Sequence, residues 1–285
     1  MLMDKDQLAK ILPGIAHEHK FRMEILEKDY YLTNILNNLH EHLGDKLVFK
    51  GGTLLNKIHL NYHRLSEDLD FTYLSDEELT SRAQRSRAIS PIREKMPGFL
   101  ALLELRSVDP KGKGYNNSTQ YVFELLYPSF ISGKDEKIKI EISLRQRPID
   151  KPAYNVIQHF YKDPFTGKDL VPRNKILSLS LKEAVAEKLK AAITRKDKAI
   201  RDYYDLWWIA RNKFNFHDEH FFDLFKKKLK GEGYKGDYES NFGLSEKETE
   251  GLQRQIATDL MPVIRIGEAF DLNEVFKLFN KIFLK

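Results

Sequence analysis

A chain of 285 residues, 41% hydrophobic and 31% charged, is long enough to bury a core as one large or two modest domains, and reads as a soluble globular protein. It contains no cysteine, which excludes disulfides, thiolate catalysis and Cys-ligated zinc or iron–sulfur sites. With 47 basic and 42 acidic residues the formal charge is +5, which permits a nucleic-acid partner but equally describes an ordinary charged surface.

The first ten residues carry charges where a secretory signal needs an apolar core, and no apolar run approaches a membrane span. A cytoplasmic protein with no membrane association is expected. From Asp4 to Leu43 the pattern is helical, with a break predicted near Pro13-Gly14, and Ile25, Leu26, Tyr30, Leu32, Ile35, Leu36, Leu39 and Leu43 form an amphipathic stripe. Lys28 and Asp29 fall on the flank of that stripe, where a surface ion pair is the plain reading. His17 and His19, like His40 and His42, are spaced i, i+2 and do not share a helix face, so no metal is assigned to them.

The stretch from Leu47 to Tyr73 organises the rest. A short β-type run, Leu47-Val48-Phe49, delivers Lys50 to Gly51-Gly52-Thr53 and a following turn of helix. A glycine pair turns with φ > 0 and leaves its amides uncovered, and a helix start adds its positive dipole end, a combination that binds phosphate. Asp68 and Asp70 follow in a segment with strand propensity, so the two carboxylates project to one side. Hard oxygen ligands there suit Mg²⁺, with nucleotide phosphates supplying further ligands. The reading is an NTP held by Lys50, Gly51, Gly52, Thr53 and Ser66, and Mg²⁺ held by Asp68 and Asp70. The bland alternative is a glycine turn followed by an exposed acidic strand.

Lys50-Gly51-Gly52-Thr53 and Arg64-Leu65-Ser66-Glu67-Asp68-Leu69-Asp70-Phe71 together resemble the polymerase-beta-like nucleotidyltransferase superfamily, and more closely its AbiEii/AbiGii abortive-infection toxin branch. Glu27-Lys28-Asp29-Tyr30 resembles a signature that family members carry ahead of the glycine turn. The resemblance implies a nucleotidyltransferase toxin of a bacterial toxin–antitoxin or phage-defence pair, with a cognate antitoxin and tRNA or another RNA as acceptor.

Ser75 to Lys95 predicts a helix capped by Ser75 and Glu78, whose Arg82, Arg85, Arg87 and Arg93 either approach an RNA backbone or form a solvated face. Strands are predicted over Leu102 to Val108, Tyr121 to Tyr127 and Lys137 to Arg145. In the last, Ile138, Ile140, Ile142 and Leu144 alternate with Lys137, Lys139, Glu141 and Ser143. Superfamily members complete their metal site with a third acid on a later strand, which makes Glu141 the candidate. A salt bridge to Lys139 or Lys137 is the competing reading. Pro148 to Ser180, with four prolines, reads as an ordered connection.

Two further helices hold a second chemical centre. Glu187-Lys188-Leu189-Lys190-Ala191, Arg195 and Arg201-Asp202-Tyr203-Tyr204-Asp205-Leu206 match the third family signature. By that resemblance Lys188, Arg195 and Arg201 serve the NTP phosphates, where preplaced cations stabilise departing pyrophosphate. Asp202 and Asp205 hold these cations or act in acceptor activation. Trp207 and Trp208 read as core and interface anchors. The remainder is helical and lysine-dense, Phe221 to Lys230 first and Asp271 to Leu284 last. The run from Phe225 to Lys230 either touches a phosphate backbone or forms a lysine-covered amphipathic helix.

The expected fold is α+β: residues 1–150 a catalytic half with a small mixed sheet and flanking helices, and residues 151–285 a mainly helical half that completes the cleft. The expected reaction is NMP transfer from an NTP to an acceptor hydroxyl, with Glu141, Lys188 and Asp202 joining the two aspartates in catalysis. Nucleotidylation of a small molecule or protein, and a catalytically silent nucleotide- or RNA-binding regulator, are the alternatives.

Overall fold

The computed structural model describes residues 3–236, 238 and 244–283. The chain divides into two compact units, Met1–Leu179 and Ser180–Lys285. The first is built on a seven-stranded mixed sheet of order β3-β4-β5-β2-β1-β7-β6. Its strands are β1 (Leu47–Lys50), β2 (Asp68–Tyr73), β3 (Lys113–Tyr115), β4 (Gln120–Pro128), β5 (Asp135–Ser143), β6 (Ala153–Val156) and β7 (Lys175–Ser178). Its helices are α1 (Lys5–His19), α2 (Met23–Leu43), the short α3 (Gly51–Leu54) and α4 (Arg82–Leu102). The α+β architecture with a mixed sheet is thus the observed one: β2 runs parallel to β5 and β1 parallel to β7, while the other pairings are antiparallel.

Alternation along β5 works as its pattern dictates. Ile138, Ile140 and Ile142 are buried together with Leu69 and Phe71 of β2 and Phe123 and Leu125 of β4, leaving the intervening polar residues on the opposite face. Several local expectations need correction. The first helix runs through Pro13 and breaks instead at Lys20, which adopts a left-handed φ of 62° beside the buried Phe21. The fourth helix starts later than predicted, because Ser81 and Gln84, not Ser75 and Glu78, form the capping box. Both serines satisfy the sequence pattern. Asp76, however, is tied to Lys46 at 2.7 Å, and the Leu74 N–H donates to the Lys46 carbonyl, so the residues just after β2 are fastened back to Lys46. From Leu102 to Val108 only one bridge forms, Arg106 to Leu126.

The stretch from Pro148 to Ser180 is more than a connection, since it supplies β6 and β7. Ser178 pairs in parallel with Phe49, and the Leu179 N–H donates to the Phe49 carbonyl, so the division between units falls after Leu179 and not at residue 150. The reason is long-range pairing, which prolines and a missing period in the sequence conceal.

Asp29 and Lys28 do not form a surface pair. Asp29 is fully buried and its carboxylate lies 2.7 Å from the equally buried Lys57, while Lys28 reaches Glu67 at 3.4 Å. Lys57 sits in a π-helical segment, Leu55–His59, that continues α3.

Beside α1 lies a cleft of about 520 Å³ lined in part by His19, Phe160, Arg173 and His159. Burial, followed by the nearby Arg173 cation, lowers the His159 pKa to about 4. Its folded pKa is below the ordinary value, so the neutral ring is the one that suits the fold. Stability is complete above pH ~6.5 and falls as pH drops through that value toward about 4, by about 3 kcal/mol in all. Chemical denaturation across pH 7 to 4 should show this loss. His159→Gln, which can still accept the Tyr161 N–H bond made by Nδ1, should flatten it.

The second unit is helical: α5 (Leu181–Thr194), α6 (Ile200–Arg211), α7 (Glu219–Gly231), α8 (Glu246–Gln255) and α9 (Leu272–Phe283). The predicted helical end at Leu284 lies outside the described residues. Lys228, in the middle of the lysine-rich run, is buried and pairs with Glu183 at 2.6 Å and Glu187 at 2.7 Å, joining α7 to α5. Trp207 is a core residue packed against Phe270, with the Arg211 cation over its ring.

Candidate active site

The register of three neighbouring strands assembles the site. In the antiparallel β1–β2 pair, Lys50 lies opposite Asp70. In the parallel β2–β5 pair, Asp68 faces Lys139 and Asp70 faces Glu141. Because Leu69, Phe71, Ile140 and Ile142 take the buried face, the three carboxylates of Asp68, Asp70 and Glu141 share the other one. The structure gives Glu141 a place on the aspartate face and an ion pair with Lys139. It is a third acid beside the aspartate pair, and it also lies 3.7 Å from the Lys139 ammonium, which stands 3.7 Å from Asp68 as well.

The glycine turn is packed directly onto this face. Gly51 has φ +79°, and a Cβ placed on it would overlap the Asp70 carboxylate. A Cβ on Gly52 would lie 2.7 Å from the Arg64 guanidinium and 3.4 Å from Ser66 Oγ. These positions require glycine for two reasons: left-handed φ at the first, and close approach of functional side chains at both. Thr53 is buried and its hydroxyl donates to the Asp68 carbonyl at 2.5 Å, so its side chain fastens the turn to β2. What Gly52 and Thr53 can offer a phosphate is their first-turn amides, which have no intrahelical acceptor. Arg64 and Lys139 are site-adjacent cations that the sequence reading did not place in the site, Lys139 being named there only as a salt-bridge partner of Glu141. Arg64 stood inside the quoted motif, whereas Lys139 stood on the polar face of a strand already assigned.

Asp70 is the electrostatic focus. Burial pushes its carboxyl up to about 6, opposed by the Lys50 cation and reinforced by Glu141. A carboxylate held at such a cost is eased by a bound cation. Among the described residues no three His, Asp or Glu side chains converge closely enough to hold a metal unaided. An aspartate pair that relies on phosphate oxygens for further ligands fits a hard divalent ion such as Mg²⁺.

In the second unit, Lys188 of α5 reaches Asp202 at 2.8 Å and Asp205 at 2.9 Å, both on α6, and Arg195 reaches Asp202 at 2.7 Å. Asp202 and Asp205, three residues apart, share a helix face and are buried there. They hold Lys188, as expected, and Asp202 holds Arg195, which remains half-exposed. Arg201 lies in the first turn of α6. Glu187 pairs with Lys228 instead.

The family model of the nucleotidyl transferase AbiEii toxin, of type IV toxin–antitoxin systems, matches residues 34–271. The chain belongs to the AbiEii family.

Several solved structures share the fold, two of which illustrate the likeness. MenT4, a nucleotidyltransferase toxin from Mycobacterium tuberculosis, is similar at a TM-score of 0.63 and 17% identity, over 99% of this chain and 89% of that one. JHP933 from Helicobacter pylori gives 0.51 and 18%, over 92% and 91%. None of the curated proteins matches the chain. The AbiEii assignment carries a nucleotidyltransferase toxin with an antitoxin partner and an NTP substrate, and among the described residues no helix is long and apolar enough to cross a membrane.

For this AbiEii protein, Gly51→Ala should be costly although it removes no charged group. The new methyl would collide with Asp70 at a left-handed φ, and a displacement on the order of 1 Å at a reacting centre costs roughly a hundredfold in rate. Steady-state kinetics should show that fall.

Proposed function

We propose that this AbiEii protein transfers a nucleoside monophosphate from an NTP to a hydroxyl of tRNA and releases pyrophosphate. The observation that supports this most is the seating of Gly51 against Asp70, which sets the glycine turn beside three carboxylates on one face. Asp68 and Asp70 would hold Mg²⁺, which when bound supplies charge neutralisation at the phosphates. The Gly52 and Thr53 amides, with Lys50 and Ser66, hold the triphosphate. The acceptor oxygen bonds to the α-phosphorus as the α–β phosphoanhydride bond breaks, the leaving pyrophosphate takes the bond pair, and Glu141 takes the hydroxyl proton. By the resemblance of their motif, Lys188, Arg195, Arg201 and Asp202 would take part in turnover, with Lys188 paired to Asp202 and Asp205. In the cell the protein would act in the cytoplasm as the toxin of a phage-defence pair.

Purified protein incubated with Mg²⁺, each α-labelled NTP in turn and total bacterial RNA tests the reading. Label in a tRNA-sized band supports it. Label entering protein or a small molecule instead would reassign the acceptor, and no transfer anywhere would leave a silent nucleotide-binding regulator.

RNA binding should also carry a charge signature. Lys226, Lys227 and Lys230 are exposed while Lys228 is buried. Changing the three exposed lysines to Gln should weaken RNA binding and lower the slope of log K against log salt by roughly 0.7–0.9 for each phosphate that is no longer neutralised. An unchanged slope would remove this helix from the interface.

A further inference from the structure

Resting on the reading of Asp68 and Asp70 as metal ligands, we propose that Lys139 is a built-in competitor of the metal. Its ammonium lies between Asp68 and Glu141 and would have to leave Asp68 for a divalent cation to bind.

The geometry follows from register. Lys139 is the cross-strand partner of Asp68, and it lies two residues before Glu141 on the same face of β5. Its Nζ stands 3.7 Å from Asp68 Oδ2 and 3.7 Å from Glu141 Oε2. Both distances exceed a hydrogen bond, so the ammonium is held between the two acids by charge, not by directional bonding. The Lys139 and Asp68 side chains are 42% and 43% exposed, which leaves the flexible lysine stem free to move without opening any core packing.

Charge makes the bridge useful. Asp68, Asp70 and Glu141 bring three carboxylates to one face, opposed by Lys50 and Lys139. Without Lys139 the like charges of neighbouring registers repel with less compensation. A divalent ion would offer stronger compensation, but it would need the Asp68 carboxylate that Lys139 faces. Lys139 thereby lowers the affinity of the free protein for bare metal. Loading then depends on an NTP, whose phosphate oxygens add ligands and offer the displaced ammonium a new partner. The toxin would hold metal weakly until its nucleotide arrives.

Calorimetric titration with MnCl₂ in the absence of NTP tests this, using the full chain, Lys139→Met, Lys139→Arg and Asp70→Asn. Two exposed ion pairs predict that Lys139→Met binds Mn²⁺ roughly three- to tenfold more tightly than the unmodified chain, with Lys139→Arg close to unmodified. In EDTA, Lys139→Met should melt below the unmodified protein, and added Mn²⁺ should close the gap. Equal or weaker Mn²⁺ binding by Lys139→Met, with binding lost in Asp70→Asn, would overturn the role of Lys139 and leave the metal reading standing. Failure of both the unmodified chain and Lys139→Met to bind Mn²⁺ would overturn the metal reading and the inference with it.

Discussion

Asp70→Asn is expected to lower nucleotidyl transfer by roughly a thousandfold or more while leaving the fold intact. The substitution keeps the shape of a side chain wedged beneath Gly51 but removes the anionic oxygen that a metal and its nucleotide need. Stability should move the other way. The Asp70 pKa is raised to about 6 from an ordinary 3.8, chiefly by burial, so ionising it opposes folding. That penalty is absent below pH ~3.8, develops as pH rises toward about 6, and is complete above. Discounted for the partial exposure of the side chain, it amounts to about 1–2 kcal/mol. Metal-free Asp70→Asn should therefore melt above the unmodified protein at pH 8, with the difference disappearing near pH 4. Transfer assays and thermal melts on the same preparation check both halves. Activity near the unmodified level would sink the assignment of Asp70.

The largest effect on stability should come from Lys57→Met. Lys57 and Asp29 are both fully buried 2.7 Å apart, and Lys57 also donates to Thr33 Oγ1 at 2.7 Å and to the Tyr62 hydroxyl at 2.8 Å. Burial lowers the Lys57 pKa, opposed by the Asp29 charge. Removing the cation strands a carboxylate in the interior, with the Tyr161 hydroxyl at 3.0 Å as a neutral donor. A loss of about 3–5 kcal/mol is expected, read from the midpoint of urea unfolding. Adding Asp29→Leu to Lys57→Met should recover most of it, because the Tyr62 and Tyr161 hydroxyls retain the Gln158 and Leu26 carbonyls as acceptors. If the double variant is no more stable than the single one, the damage lies in lost packing and not in a stranded charge. Tyr62 itself holds φ at 60° next to Asn61 at 48°, a conformation a tyrosine rarely adopts. The hydrogen bonds converging on its hydroxyl keep it there.

How much of this was legible beforehand depended on whether the interaction was local. Gly51-Gly52-Thr53 and Asp68-x-Asp70 announce themselves because a positive-φ turn and same-face carboxylates are properties of a few consecutive residues. The polar face of β5 is likewise written in its alternation, and so is the pairing of Lys188 with an i, i+3 aspartate pair once the helices are recognised. The resemblance to the family rests on the same short motifs and their order along the chain.

The remainder was fixed by which segments meet. Asp29 sits on a helix flank that any hydrophobic pattern would leave wet, yet Lys57 arrives from the π-helical segment after the glycine turn to bury it. Lys228 looks like one more surface lysine until α5 brings Glu183 and Glu187 beside it. Strands β6 and β7 came from a proline-rich stretch with no period, because a strand only four residues long is made by its neighbour's hydrogen bonds and not by its own propensity. The sequence by itself determined the turn, the acidic strand and the helices that carry the chemistry, since each is set by dihedral preference and spacing within one element. The tertiary structure alone decided that Asp70 and Glu141 stand side by side, that Lys139 stands between Asp68 and Glu141, and that two lysines with ordinary surface contexts are buried. Strand register and the desolvation of a charge arise only between elements far apart in the chain.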